Sequence, residues 1–265
     1  MRTARLIVVV LTLSVAPLGA IPWSAFEGSA HGFPVMRDAA TGRAFADGDF
    51  QQWIDHDKLH VVIAYSGAGG RRIEERVVAS QRPELAQDSW SFTETRNGKP
   101  FRRFDVDFAS GHATAVTYAG GEKHEDETLK LTRGQAFAGF GFTLVMKALR
   151  ERLLHGEHIT LQGVGFMPKP RVADVDISYG GRDRIRMSER SIEGDRFIVH
   201  PKIPAVAKLF VHVPDAEIWL TTPPAGFLRW EGALAEPNDE IVRVDLMPGA
   251  SSAPAEPVAT TGVRR

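Results

Sequence analysis

From Leu59 to Leu246 apolar residues recur in short runs, mostly alternating with polar ones, and Gly, Pro, Asn or Asp separates each run from the next. The clearest are Leu59–Tyr65, Ile73–Ser80, Ser89–Thr95, Phe101–Phe108 and His112–Tyr118. After an interruption come His158–Phe166, Val172–Tyr179, Arg184–Glu189, Arg196–His200, Lys208–Val213, Glu217–Thr221, Phe227–Glu231 and Ile241–Leu246. A period of two predicts strands with one dry and one wet face. Ala173, Val175, Ile177 and Tyr179 share one side of their run, and Asp174, Asp176 and Ser178 share the other. Phe104, Val106 and Phe108 oppose Arg103, Asp105 and Asp107 in the same way. Regular short strands with turn signals between them predict a mainly β fold, an antiparallel sheet curled into a barrel or a sandwich.

Asn97-Gly98 marks a hairpin whose register follows from the faces. A strict two-residue loop sets Phe92 against Arg103 and Trp90 against Asp105. A three-residue loop with Gly98 left-handed sets Trp90 against Phe104 or Val106 and keeps one face apolar. Because a one-residue slip turns every side chain of a strand to the other face, the three-residue loop is expected.

The interruption predicts a helix over residues 132–155. Thr132 and Gln135 have the spacing of a capping box. Phe137, Phe140, Leu144, Val145, Ala148 and Leu149 follow at helical spacing, and Gly156 supplies the stop. Gly139 and Gly141 each cost about 1 kcal/mol in a helix interior, which marks them as places where helix and sheet lie close. The stretch 31–58, broken by Gly32, Pro34, Gly42 and Gly48, is read as a loose lead-in with one helical turn near Phe50 to Ile54. The single β-rich domain then runs over 59–247. Residues 248–265, rich in Ala, Pro, Ser and Thr, have little to bury and are expected to be disordered.

The first residues bear on the compartment. Arg2 and Arg5 precede the uncharged apolar run Leu6–Val15, which is about half the roughly 20 residues a spanning helix needs. That is the form of a cleaved signal peptide within residues 1–30, with cleavage after Ala20 or Ala30. It predicts a periplasmic or secreted protein. The chain has no cysteine, which excludes a lipoprotein anchor, disulfides, thiolate metal sites and a Cys nucleophile together. Stability must therefore come from the core, for which 43 % apolar residues suffice. The formal net charge is -1, without the basic excess expected of a nucleic-acid partner.

No segment carries a nucleophile elbow, a zinc-protease helix or a phosphate-binding loop, so the chain is read as non-enzymatic, with no cofactor and no metal. Gly67-Ala68-Gly69-Gly70 is read as a turn. His155, Glu157 and His158 straddle a helix C-terminus, where an imidazole is favourable against the helix dipole. Glu122 to Glu127 lacks the spacing of a calcium loop and is read as a solvated turn leading into the helix. Arg182, Arg184 and Arg186 share a strand face. They form either a contact for anionic groups at the cell envelope or a solvated face paired with Asp183, Glu189 and Glu193. Trp90, Phe104, Phe137, Phe140, Leu144 and Trp219 need burial. They either fill the core or line an apolar hollow between sheet and helix.

A signal peptide, a run of antiparallel strands, one central helix and then more strands resembles the periplasmic lipoprotein carriers LolA and LolB and the uncharacterised exported bacterial proteins of similar fold. The text from Ala216 to Gly232, AEIWLTTPPAGFLRWEG, resembles the closing strands of the latter. The resemblance implies a half-open barrel covered by the helix, with an interior that accepts lipid or an acyl chain. The leading expectation is thus an exported protein binding an apolar or amphipathic molecule. The alternative is a structural or interaction module with a solid core, and a hydrolase with a dispersed site stands third.

Overall fold

The computed structural model of the protein describes residues 21–22, 27–187, 190–203, 213–221 and 226–246. Its elements, in chain order, begin with β1 (Ala30–Gly32), β2 (Pro34–Asp38), β3 (Ala44–Asp55), β4 (Lys58–Gly67), β5 (Arg72–Ser80), β6 (Ala86–Arg96), β7 (Lys99–Asp107), β8 (His112–Thr117), β9 (Lys123–Thr128) and β10 (Ala136–Phe137). The helix α1 (Gly141–Leu154) follows, and then β11 (Ile159–Met167), β12 (Lys169–Met187), β13 (Arg190–Pro201), β14 (Ala216–Thr221), β15 (Phe227–Ala233) and β16 (Ile241–Leu246).

The strands form one sheet in the order β10 to β16, then β2 to β9, with β1 paired to β3 off this path. Neighbours are antiparallel except β10 and β11, which run parallel. The pairing of β16 with β2 joins the last strand to the beginning of the chain. The sheet curves without closing, because β9 and β10 are its edges. Lys169 of β12 reaches Glu125 of β9 at 2.9 Å, so the two arms approach without a shared ladder. Inside the curve, Leu144, Val145, Met146, Leu149 and Leu153 of α1 are fully buried. This is the half-open barrel with a central helix.

Four details depart from the sequence expectations. The helix begins at Gly141, not at residue 132. Gly134 and Gly139 take left-handed φ of 71° and 51°, which a continuous helix excludes. Ala136 and Phe137 pair with Gln162 and Gly163 instead, and the Thr132 amide donates to the Gln162 side chain at 2.8 Å. The lead-in is sheet: β2 and β3 bridge β16 to β4, and Met36, Ala46 and Phe50 point into the core. There Gly48 is required by packing, since a Cβ would lie 2.8 Å from both Pro34 and Tyr65. Residues 123–128 are the edge strand β9 and not a turn, and their charges suit an edge that must not recruit another chain.

The β6–β7 hairpin keeps its apolar face by another route than the one expected. Trp90 does pair with Val106, and Phe92 with Phe104. The loop, however, is the two-residue Asn97-Gly98 turn, both residues left-handed with φ of 52° and 72°. The register is shifted by a bulge where Glu94 opposes Arg102 and Thr95 opposes Pro100. The leader at 1–20, the tail from 247 and all of Lys208–Val213 but Val213 lie outside the described residues.

Candidate functional site

Two adjoining cavities lie within the curve of the sheet. The larger, of about 240 Å³, is bordered by β11, β12, β14 and the 234–237 stretch, with Gly165, Ala173, Val175 and Ile218 among its walls. The smaller, of about 100 Å³, lies between β2–β6, β15 and β16 and the start of α1. Trp90, Gly139, Trp230 and Leu234 border both. An apolar cavity of about 150 Å³ takes up benzene, so the larger has room for a short hydrocarbon segment.

Of the six residues expected to line a hollow, Trp90 and Phe140 do so. Phe104 is instead sealed in a stack, its ring centroid 4.4 Å from that of Phe166 and 6.0 Å from that of Phe92. β11 is not a sheet neighbour of β6 or β7, so this stack is a contact across the interior and fills part of it. Phe137 and Leu144 are buried in the main core without reaching either cavity. Trp219 belongs to a separate small cluster with Ile185, Met187 and Leu228, and its indole donates to Asp183 at 2.9 Å. It falls there because it alternates with Ile218 and Leu220 of the main core and so faces the other side of β14.

The smaller cavity contains a group that periodicity reading passed over. Along β5, Ile73, Glu75, Val77 and Ala79 share the inward parity, and Glu75 is the acid in that row. Its Oε1 accepts the Trp90 indole N–H at 2.8 Å and the Phe140 amide at 2.7 Å. Oε2 has no partner among the described residues. Burial pushes the Glu75 pKa above the ordinary glutamate range, against the lowering effect of those two hydrogen bonds. Tyr65, diagonal to Glu75 on the neighbouring strand, is 6 % exposed, and burial followed by the Glu75 charge raises its phenol as well.

Glu75 also positions the helix. Gln87 of β6 holds Ala138, accepting its amide at 2.8 Å and donating to its carbonyl at 3.2 Å. Two inward polar side chains thus pin residues 138–140 against β5 and β6. The approach is so close that a Cβ on Gly139 would lie 1.9 Å from Glu75 Oε1 and 2.2 Å from Trp90 Nε1. Further along, Arg150 of α1 meets the fully buried Asp195 of β13, which also accepts from Arg182 at 3.0 Å.

The 234–240 loop closes one end of the larger cavity and is held from outside by charge. Arg102, 3 % exposed, donates to Glu94, Glu236 and Asp239 at 2.9 to 3.0 Å, and Arg71 reaches Glu240 at 2.6 Å. Coulombic attraction to Asp239, Glu94 and Glu236 outweighs desolvation and raises the Arg102 pKa.

On the arginine face, Arg182, Arg184 and Arg186 are all exposed, with Arg182 paired to Asp195 and Arg184 to Glu193 at 3.5 Å. His155 sits at the helix C-terminus, its ring nitrogen 2.6 Å from the Glu151 carbonyl, and Glu157 pairs with Arg152. Among the described residues no group of three or more His, Asp or Glu has a metal-binding arrangement, and no helix is long and apolar enough to cross a membrane.

No family model matches this sequence, and no curated protein matches it either. Among solved structures, the chain is similar to a β-barrel-like protein of the domain of unknown function DUF1849 from Brucella abortus, with a TM-score of 0.49 and 9 % identity. The alignment covers 83 % of this chain and 96 % of that one.

Proposed function

We propose that this is an exported protein that binds the hydrocarbon part of an amphipathic molecule inside its curved sheet, as the likeness to lipoprotein carriers suggested. The observation that carries this reading is the cavity of about 240 Å³ beside α1, walled largely by apolar side chains and continuous in its lining with a second, aromatic one. A solid-core module is favoured by the ring contacts that cross the same interior, Phe104 and Trp90 each stacking on Phe166 and filling part of it. Export rests on the leader sequence, and the packing bears on where the leader would end. Ile21 is fully buried and its carbonyl accepts the Leu85 amide at 3.0 Å, while Glu27 pairs with Lys147 at 3.0 Å. Cleavage after Ala20 keeps both contacts, whereas cleavage after Ala30 discards them.

Gly165 provides the test. It lines the larger cavity, and a Cβ placed on it meets no atom within 4 Å. The side chain of Gly165→Leu starts in that open space, at an exposed edge of the cavity. Octyl glucoside below its micellar concentration is expected to bind the native protein by calorimetry and to lose most of that affinity in Gly165→Leu, with thermal stability kept. Absence of binding to the native protein, together with no lipid in native mass spectra of protein from the envelope fraction, refutes the reading.

A further inference from the structure

We propose that the smaller cavity receives an organic ammonium, the cationic end of the amphipathic ligand whose hydrocarbon occupies the larger one; this rests on the reading above and adds the ligand's chemical class. Glu75 is half-buried, and a carboxyl group withdrawn from water is tolerated when a cation or hydrogen bonds replace the water it has lost. Glu75 receives two hydrogen bonds, both on Oε1, and no Lys, Arg or His lines its cavity among the described residues. Aromatic rings make up much of the wall, Phe50, Tyr65, Trp90, Phe140, Phe227 and Trp230, and aliphatic side chains most of the rest. Ring faces carry negative charge density and attract cations, most strongly where water is excluded. A carboxylate oxygen and a buried phenol set within such a wall suit an alkylammonium or quaternary ammonium.

Other occupants fit less well. An anionic head group finds no Lys, Arg or His in the wall among the described residues. A neutral head group has no use for its charge. Calcium needs six or more oxygens and zinc needs imidazole or thiolate, and the lining has neither set.

The ionisable groups around Glu75 are few, so its protonation can be followed. Tyr65 faces it from β4, and β2, β3, β6, β15, β16 and the start of α1 contribute none to the cavity wall. In the adjoining cavity stand Arg171 of β12 and Glu236 of the 234–240 loop, the latter bound to Arg102. Burial favours the protonated acid at Glu75, and an arriving ammonium favours the ionised one. Uptake of a cation should therefore release a proton from the protein. A quaternary ammonium has no proton of its own, which makes it the right probe.

The experiment is calorimetry of octyltrimethylammonium, octyl glucoside and octyl sulfate with the native protein, each below its micellar concentration and in two buffers of different ionisation enthalpy. The expected result is binding of the trimethylammonium compound about tenfold tighter than the glucoside, with proton release for the cation alone. Glu75→Gln keeps an acceptor for Trp90 and Phe140, and it should remove both the tenfold preference for the cation over the glucoside and the proton release. Glucoside or sulfate binding as tightly as the cation overturns the ammonium assignment and leaves the apolar site standing. Failure of all three to bind overturns the ammonium assignment and, with lipid-free native mass spectra, the apolar site as well. If Glu75→Gln does not fold, the head-group preference and proton release of the native protein decide alone.

Discussion

Gly139→Ala tests the junction between the helix and the cavity. Gly139 has a φ of 51°, where a side chain costs about 1–2 kcal/mol relative to glycine. The new methyl would also occupy the position of Glu75 Oε1, 1.9 Å from the Cβ, so the carboxyl must move away from the Trp90 indole, the Phe140 amide or both. Each hydrogen bond lost from a buried group costs about 1–3 kcal/mol. The expected loss is about 3 kcal/mol, or roughly 6–12 °C in Tm for a domain of this size. The comparison is Gly165→Ala, the same chemical change at a position with open space and no left-handed φ, expected to be neutral or slightly stabilising through the unfolded chain. Urea denaturation followed by circular dichroism measures both. If the two variants unfold within about 0.5 kcal/mol of one another, inside the scatter of ordinary surface changes, the pinning of residues 138–140 by Glu75 is refuted.

Arg102→Met should destabilise the fold by about 1–3 kcal/mol, because Glu94 keeps Arg71 and Arg96 but loses its third arginine, and the 234–240 loop loses the bonds from Arg102 to Glu236 and Asp239; a urea midpoint equal to wild type would deny the loop clamp. Stability should also depend on pH through Glu75. Its folded pKa lies above the unfolded value near 4.5, so the folded state holds its proton more tightly. The contribution is present in full below that unfolded value and is lost as pH rises from there to the folded pKa. Denaturation midpoints of native protein relative to Glu75→Gln should therefore fall across this window, and a flat or rising difference counts against a proton-retaining carboxyl. Trp219→Phe, in the separate distal cluster, should leave octyl glucoside affinity unchanged, and a tenfold loss by calorimetry would place that tryptophan in the site after all.

Alternation was enough to read most of the strands, because a half-buried sheet writes its faces into every second residue. Ile73–Ser80 and Ile241–Leu246 fall within a residue of the observed β5 and β16. The errors arose where glycine had two readings. Gly42 and Gly48 looked like breaks before Leu59, yet one makes a turn and the other makes room for Tyr65 beneath a continuous strand. Gly139 looked like a costly helix position, and it and Gly134 are left-handed breaks ahead of the helix, while Gly141 is the helix's first residue. The aromatics Trp90 and Phe140 were recognisable as candidates, but which rings face space and which face each other is settled by partners far away in sequence, as Phe166 is for Phe104. Glu75 did leave a signal, an acid at the inward parity between Ile73 and Val77, and its significance depends on Trp90 and Phe140 meeting it from two other segments.

That position couples two roles that are usually separate. The carboxyl that holds the start of the helix through Oε1 is the same one whose other oxygen has no partner among the described residues and lies beside the aromatic wall. A ligand that draws charge onto Glu75 therefore also strengthens the bonds that hold Phe140 and Trp90, since hydrogen bonds to an ionised acceptor are roughly twice as strong as neutral ones. Binding and the seating of α1 become one equilibrium. Glu75→Gln should separate them, retaining the seat and losing the charge, whereas Glu75→Leu should lose both.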